Sequence, residues 1–216
     1  MLARGVFAHV SGEEHMAKNT YISWTDSTHN FWYGCVKVSQ GCKNCYAERE
    51  MDRFGKNFHT VTRAKGFDAP LKWREPRKVF VNSWSDFFIE GADAWRDEAF
   101  AIMARTPHLI YQILTKRAER MHACMQGWRG EILPNVWIGV SAEDQEAADA
   151  RIPLLLDSPA ALRFVSYEPA LEAVDFRPYL GGIDWVICGG ESGPDARPCS
   201  IQWLRAVKNQ CRDALD

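Results

Sequence analysis

The sequence lacks any uninterrupted apolar run long enough to cross a membrane, although 46% of its 216 residues are hydrophobic. It also carries little net charge, −2 at pH 7, which argues against binding nucleic acid by bulk electrostatics and leaves a local basic groove open. The first fifteen residues contain no proper signal-peptide apolar core or cleavage site. They predict either a disordered extension over residues 1–19 or an over-long gene start with Met16 as the true first residue. Residues 20–216 then form a single domain with no membrane contact.

Seven cysteines are present, and four of them are too far apart in the chain to suggest a disulfide scaffold: Cys124, Cys188, Cys199 and Cys211. The other three, Cys35, Cys42 and Cys45, form a Cys-x6-Cys-x2-Cys motif. Thiols at this density in one short segment are metal ligands more often than packing residues. Clustered free thiols also suit a reducing compartment, so we expect a cytoplasmic protein.

A helix is predicted over residues 43–54, because apolar residues recur there at helical spacing: Ala47, Met51 and Phe54. Cys42 and Cys45 would be held on its first turn, with Cys35 brought in by the preceding loop. Glycines precede the first two cysteines of the motif, at Gly34 and Gly41. With no Cβ there, the backbone can approach an inorganic sulfide and point N–H groups at it.

The ligand count separates the candidate metals. A structural zinc site is normally closed by four ligands, and the sequence has no second Cys-x2-Cys and no His pair at zinc-finger spacing. A [4Fe–4S] cluster also normally takes four cysteines. Three cysteines would leave one iron open, and the amino and carboxylate groups of S-adenosylmethionine could occupy it.

Strands and helices alternate along the chain. Six short apolar runs predict strands at residues 21–24, 78–82, 109–114, 136–140, 162–165 and 184–188. Residues 55–78 contain glycine and proline breakers and predict a loop. Ser141 and Asp144 predict a capping box for the fourth helix, and Pro153 predicts an interruption of that helix. Ser200 predicts the cap of the last helix.

Apolar runs separated by helices are typical of strands buried on both faces, so the sheet is predicted to be parallel. Six βα units fit a partial barrel or a doubly wound sheet, and in both the loops after the strands meet at one edge. The cysteine motif follows the first strand and would lie there. Polar residues after the other strands would converge on the same edge: Asn82, Ser83, Ser85, Asp86, Thr115, Lys116, Arg117, Ser141, Glu143, Asp144, Ser166, Glu168, Glu191 and Ser192.

Seven segments resemble, in content and order, the radical SAM superfamily and, within it, the phage-associated three-Cys-motif family of unknown function: residues 23–26, 34–48, 81–86, 114–117, 136–145, 164–169 and 189–194. The resemblance implies an α/β fold, a partial (β/α)6 TIM-like barrel. It also implies a [4Fe–4S] cluster and S-adenosylmethionine, whose reductive cleavage gives a radical that abstracts hydrogen from a substrate.

The chain departs from this resemblance in two respects. The commonest radical SAM spacing is x3 then x2, whereas the first interval here is x6. Relatives also continue into a further apolar strand, whereas this sequence stops at Asp216. A missing strand would leave an exposed sheet edge, so we expect self-association or a partner protein at that edge.

The resemblance also assigns cofactor contacts by position. Polar groups after the second strand would bind the methionine end of S-adenosylmethionine, here Ser83 and Ser85. Groups after the fourth and fifth strands would bind its ribose, here Ser141 and Glu168. Tyr46, next to the third cysteine, would border the adenine, and the three motif cysteines would hold the cluster.

Three other features each have more than one interpretation. Residues 189–193 resemble the Gly-Gly-Glu motif of radical SAM proteins but follow the wrong strand, so a tight turn is the better interpretation. Cys199 would be a hydrogen-atom donor, a fourth ligand or an inert thiol. Basic and aromatic residues alternate over residues 72–78. Further basic side chains follow the third strand: Lys116, Arg117 and Arg120. They would grip nucleic acid or form an ordinary solvated surface.

Taken together, these features predict an iron–sulfur, radical SAM-type enzyme of unknown substrate, with nucleic acid as one candidate. A non-catalytic iron–sulfur or zinc module that recruits a partner protein is the main alternative. A degenerate barrel that no longer turns over is another.

Overall fold

A computed structural model describes residue 20, residues 22–128 and residues 130–215. The predicted extension over residues 1–19 lies outside the described residues, as does Tyr21 of the predicted first strand. Within the described part, no helix is both long and apolar enough to cross a bilayer.

The described residues contain eight strands, in chain order β1 Ser27–His29, β2 Trp32–Tyr33, β3 Thr62–Arg63, β4 Arg77–Val81, β5 Leu109–Thr115, β6 Val136–Ser141, β7 Leu162–Tyr167 and β8 Trp185–Cys188. Five α-helices lie between and after them: α1 Tyr46–Arg53, α2 Asp93–Ala104, α3 Ala118–Gly127, α4 Gln145–Leu156 and α5 Ile201–Asp213. The alternation predicted from the apolar runs is therefore present.

Six strands form one parallel sheet, as predicted, in the order β1-β4-β5-β6-β7-β8. A doubly wound sheet reverses its order at a switch point, and these six strands run in chain order without a reversal. Among the described strands no pairing joins β8 to β1, so the sheet is open and the partial barrel stays a prediction. The carboxyl ends of all six strands lie at one edge, which we call the carboxyl edge.

One face of the sheet forms the main core with the helices. Along β5, for example, Leu109, Tyr111 and Ile113 alternate and are fully buried against helical side chains. Gln112, between them, points to the opposite face and donates a hydrogen bond to the carbonyl of Trp24 (3.3 Å). The strands are thus buried on both faces, which is why they appear in the sequence as continuous apolar runs.

Aromatic rings fill much of the second face. Trp185 at the start of β8 packs against Trp24, Trp137 and Phe164, with ring centroids 6.2, 6.2 and 5.7 Å apart. Trp24 also packs against Phe80 of β4 at 4.7 Å. Because these rings come mostly from the first halves of the later strands, the polar residues of this face lie toward the carboxyl edge.

The first strand was predicted too early. β1 begins at Ser27, whereas Ser23 and Trp24 lie in a turn. The physical reason is that the Trp24 ring packs on the second face of the sheet, against Phe80 and Trp185, and its segment turns there before β1 begins. β1 pairs with β4 through only three residues, all of them polar, whose sequence gives little strand signal.

The helix after the cysteine motif was predicted three residues too early. Cys42 lies in a short 3₁₀ turn, Gln40–Cys42, and Cys45 is the extended residue directly before α1. Asn44 lies in the turn between them, and its side chain is bound to Glu191 and the Asp195 carbonyl. The two cysteines are therefore held by a 3₁₀ turn and a helix start and not by one helical turn.

Four further local predictions have different outcomes. Residues 55–78 are not only loop, because β3 pairs antiparallel with β2 and a 3₁₀ turn spans Ala69–Lys72. Asp144 is the N-cap of α4 and accepts the Ala147 N–H (2.7 Å), whereas Ser141 ends β6. Pro153 lies inside an uninterrupted α4, near its end. The predicted cap of α5 is confirmed, since Ser200 accepts the Gln202 N–H.

A buried histidine couples folding to pH. His29 is 4% exposed, and its ring packs against Phe31 and Trp73 with centroids 4.4 and 5.7 Å away. Burial lowers the pKa of His29 to about 4, against the opposing effects of the Phe67 carbonyl and the charge of Asp68. Below its ordinary pKa the unfolded chain binds a proton that the folded chain does not, so stability falls as the pH drops toward 4.

We therefore expect the wild type to lose about 2 kcal/mol more unfolding free energy between pH 7 and pH 5 than His29→Leu does. Urea unfolding of both proteins at the two pH values measures this difference. Carboxylates titrate equally in both chains and cancel. Equal losses in wild type and variant would contradict the prediction.

Candidate functional site

The three motif cysteines lie on one loop, residues 34–45, which we call the cysteine loop. Cys35 follows β2, Cys42 lies in the turn Gln40–Cys42, and Cys45 precedes α1. All three are free thiols and partly exposed. Cys35 and Cys45 also pack against one small apolar cluster: Ala47, Met51 and Phe58.

The thiols fit the predicted cluster in number and kind. Among the described residues, however, no group of three or more Cys, His, Asp or Glu side chains is arranged to share a metal ion. In a [4Fe–4S] cube each cysteine binds a different iron, so the three thiols need not share one ion. Burial raises the pKa of the Cys35 thiol to about 11, assisted by Asp86 and opposed by Arg117, so a metal must displace a proton there.

The start of the cysteine loop is attached to the loop after β4. Gly34 donates its N–H to the Trp84 carbonyl (3.1 Å), and its own carbonyl accepts the Ser85 hydroxyl (2.5 Å). Gly34 has a φ of 92°, a conformation that favours glycine. The Cys35 N–H donates to the Phe58 carbonyl (2.7 Å). The Ser85 hydroxyl, predicted to contact the cofactor, is thus committed to the loop.

The next segment is attached to the end of β5. Arg117 donates to the Val36 carbonyl (2.8 Å) and lies within hydrogen-bonding reach of the Cys35 thiol. Thr115, the last residue of β5, donates its hydroxyl to the buried Asp86 carboxylate (2.7 and 2.8 Å). These bonds fix the ends of β4 and β5 relative to each other and to the loop.

The middle of the cysteine loop rests on a carboxylate that follows β6. Glu143 is fully buried, and it accepts the Ser39 hydroxyl and the Gly41 N–H (3.3 Å). Arg151 of α4 binds both of its oxygens (2.7 and 3.3 Å). Burial opposes ionisation of Glu143, but Lys116, Arg151 and Ser39 outweigh it and lower the pKa of its carboxyl. The loop is therefore docked on an ionised carboxylate whose negative charge is balanced by Arg151 and Lys116.

The end of the cysteine loop is attached to the segment after β8. Asn44 donates to Glu191 (3.0 Å) and to the Asp195 carbonyl (2.8 Å). Arg197 binds both Glu191 oxygens (2.8 and 2.5 Å) and donates to the Gln40 carbonyl (3.0 Å). The hydrogen bonds from Arg197 lower the pKa of Glu191 to about 2, against a smaller opposing effect of burial. Four strand ends, those of β4, β5, β6 and β8, thus hold the loop at the carboxyl edge.

Two residues predicted to contact the cofactor, Tyr46 at the adenine and Ser83 at the methionine end, are hydrogen-bonded to each other. The Tyr46 hydroxyl donates to the Ser83 carbonyl (2.6 Å). Burial, followed by the charges of Cys45 and Glu168, raises the pKa of Tyr46. Tyr46, directly after the last motif cysteine, therefore reaches the loop that follows β4.

The predicted ribose contacts share one lysine. Lys116 donates from Nζ to the hydroxyl of Ser141 (3.0 Å), which is 1% exposed. Ser166 donates to Glu168 (3.2 Å). Burial raises the pKa of Glu168, against the hydrogen bonds from Ser166 and Trp24 and the charge of Lys116. Ser141 and Glu168 both lie near this ammonium group, and their role in cofactor binding stays a prediction.

The remaining predicted features lie in different places. Gly190 packs closely on Cys199, since a Cβ there would lie 3.1 Å from the Cys199 Cβ. Burial, then the charges of Cys211, Glu168 and Cys199, raises the pKa of Cys188 to about 12, so cysteines far apart in sequence are neighbours here. Residues 72–76 precede β4 and Arg77 and Lys78 begin it, so this basic segment lies at the edge opposite the cysteine loop. A basic surface there is separate from Lys116 and Arg117.

Sequence reasoning missed the groups that complete the loop's anchors. Glu143 and Glu191 were expected near the carboxyl edge, but not as loop anchors. Their partners Arg151 and Arg197 lie on a helix and in an irregular segment where no spacing pattern marks them. Asn44 was placed inside a helix.

The fold and the site define an α/β protein whose three-cysteine loop is tied to the carboxyl edge of an open, parallel six-stranded sheet. The chain belongs to the family described as "protein of unknown function (DUF5131)", whose model matches residues 19–215. No curated protein and no solved structure matches the chain. The family carries no assigned function, and the radical SAM resemblance stays a prediction.

Proposed function

We propose that this protein is a radical SAM-type enzyme in which Cys35, Cys42 and Cys45 hold a [4Fe–4S] cluster. The observation that supports this most is the attachment of the cysteine loop to four strand ends. Loops at the carboxyl ends of parallel strands are where α/β proteins build their ligand sites. The cluster would lie among the polar groups that end the strands.

We also propose that the sheet curls as a partial (β/α)6 barrel. Phe80 and Trp185 lie on β4 and β8, which are four strand spacings apart, or about 19 Å in a flat sheet. Their rings nevertheless lie 4.7 and 6.2 Å from the single ring of Trp24. A curved sheet around Trp24 accounts for these contacts.

The chain's own residues would then bind and orient the cofactor. The chemistry that a reduced cluster supplies when bound is one electron, which cleaves S-adenosylmethionine into methionine and a carbon-centred radical. Tyr46 and Ser83 would contact the cofactor beside Cys45. Lys116, Ser141 and Glu168 offer an ammonium, a hydroxyl and a carboxylate, which suit the carboxylate and the ribose hydroxyls of S-adenosylmethionine.

Reductive cleavage tests the activity directly. Anaerobically reconstituted protein, given dithionite and S-adenosylmethionine, is expected to produce 5′-deoxyadenosine. Cys42→Ala, treated in the same way, is expected to produce none. Absence of product from wild-type protein that carries a full cluster and binds S-adenosylmethionine would reject the enzyme and favour a degenerate barrel.

A non-catalytic metal module remains the second candidate. It is favoured by two observations: the first cysteine interval is x6 and not the commonest radical SAM interval of x3, and the Ser85 hydroxyl predicted to contact the cofactor is bound to Gly34. Such a module would bind iron–sulfur or zinc, recruit a partner protein, and give no 5′-deoxyadenosine under the same conditions.

A further inference from the structure

We propose that Glu143 is a positioning residue that docks the cysteine loop so that Cys42 is held for metal binding. This inference rests on the proposed cluster. Glu143 joins two parts of the chain: Ser39 and Gly41 of the loop on one side, and Arg151 of α4 on the other.

The loop depends on Glu143 for its attachment, whereas Glu143 does not depend on the loop for its partners. Without the loop, Glu143 would still have Arg151 on both oxygens and Lys116 nearby. Without Glu143, the Ser39 hydroxyl and the Gly41 N–H would lose the acceptor that attaches them to the sheet. The loop's own backbone bonds here are local, from the Cys42 N–H to the Ser39 carbonyl and from the next residue to Gln40. They shape the turn but do not attach it.

The contact extends to the sulfur. The Ser39 hydroxyl donates to Glu143, and its oxygen lies 3.8 Å from the Cys42 Sγ. A Cβ at Gly41 would lie 2.8 Å from the Glu143 carboxyl carbon and 3.1 Å from the Lys116 Cε, so the loop backbone sits directly on these side chains. A continuous series of contacts therefore runs from Arg151 through Glu143 and Ser39 to the thiol.

Two variants and a control separate docking from general stability. Glu143→Gln weakens the acceptor, and Ser39→Ala removes only the Ser39 hydroxyl while leaving Glu143 with the Gly41 N–H and Arg151. Asp93→Asn is the control, because Asp93 also pairs with two arginines, Arg96 and Arg120 (2.7 and 2.6 Å), but at a half-exposed position among α2 and α3, outside the loop's contacts. Circular dichroism and thermal unfolding verify that each variant is folded.

The first measurement uses the metal-free chain. Amide hydrogen exchange of the peptide covering residues 38–46 is expected to be about ten- to a hundredfold faster in Ser39→Ala and Glu143→Gln, the effect of losing a hydrogen bond to a charged acceptor. The control should exchange at the wild-type rate. Wild-type rates in both test variants would overturn the proposal.

The second measurement uses reconstituted protein. Iron release to a chelator is expected to be about tenfold faster in both variants, with altered electron paramagnetic resonance of the reduced cluster. Unchanged release and an unchanged spectrum would overturn the positioning role. If wild type takes up no iron and sulfide, the proposed function fails, and hydrogen exchange still decides whether Glu143 docks the loop.

Discussion

Replacing any one of Cys35, Cys42 and Cys45 by alanine is expected to abolish the iron–sulfur cluster. Wild-type protein purified without oxygen should be brown, absorb broadly across the visible range, and contain iron and sulfide. With only three cysteine ligands, a variant keeps two, which is too few to hold a cube of four irons. Iron and sulfide assays together with the visible spectrum measure the loss.

Two other cysteines provide matched controls. Cys124 lies on α3 beside Arg96 (3.7 Å), far from the cysteine loop in sequence, so Cys124→Ala should keep the cluster. Cys199→Ala tests whether that thiol is a fourth ligand, and we expect it to keep the cluster too. Stoichiometric zinc without iron or sulfide in the wild type would reject the cluster and favour the zinc module.

The fold could be predicted for those strands that are buried on both faces, because such strands appear in the sequence as apolar runs. β5 is the plainest case, because Leu109, Tyr111 and Ile113 face the main core while Gln112 faces the aromatic side. β1 could not be found in this way, since its three residues are held mainly by pairing with β4. The two-residue strands β2 and β3 depend on each other across about thirty residues, and no local pattern encodes such a pair.

The position of the candidate site could be predicted from the sequence, but the hydrogen bonds within it could not. Parallel strands bring every segment that follows them to one edge, so Glu143 and Glu191 could be placed near the cysteine loop from strand order alone. Which hydrogen bonds form there depends on side-chain directions that spacing does not give. The Ser85 hydroxyl shows this, because it binds Gly34 and not an open site. Asn44 likewise reaches Glu191, 147 residues away in the chain.

Replacing Glu168 by alanine is expected to weaken binding of S-adenosylmethionine about ten- to a hundredfold while the cluster stays intact. The expected loss is that of a buried hydrogen bond between the ribose and a charged partner, roughly 1.5–3 kcal/mol. Glu168 is suited to this role because it lies directly after β7 and accepts hydrogen bonds from Ser166 (3.2 Å) and Trp24, with the positive charge of Lys116 acting on it. Calorimetry on reconstituted protein measures the affinity.

Glu172 supplies the matched control for this experiment. Glu172 lies four residues after Glu168 in the same segment following β7. Its carboxylate accepts the Gln145 N–H at the start of α4 (3.0 Å), so Glu172→Ala should bind S-adenosylmethionine as the wild type does. Iron content measured before each titration ensures that a weakened affinity reflects Glu168 and not a lost cluster. Unchanged affinity in Glu168→Ala would remove this residue from the site. Failure of the wild type itself to bind would instead favour the non-catalytic module, because a cluster without the cofactor has nothing to cleave.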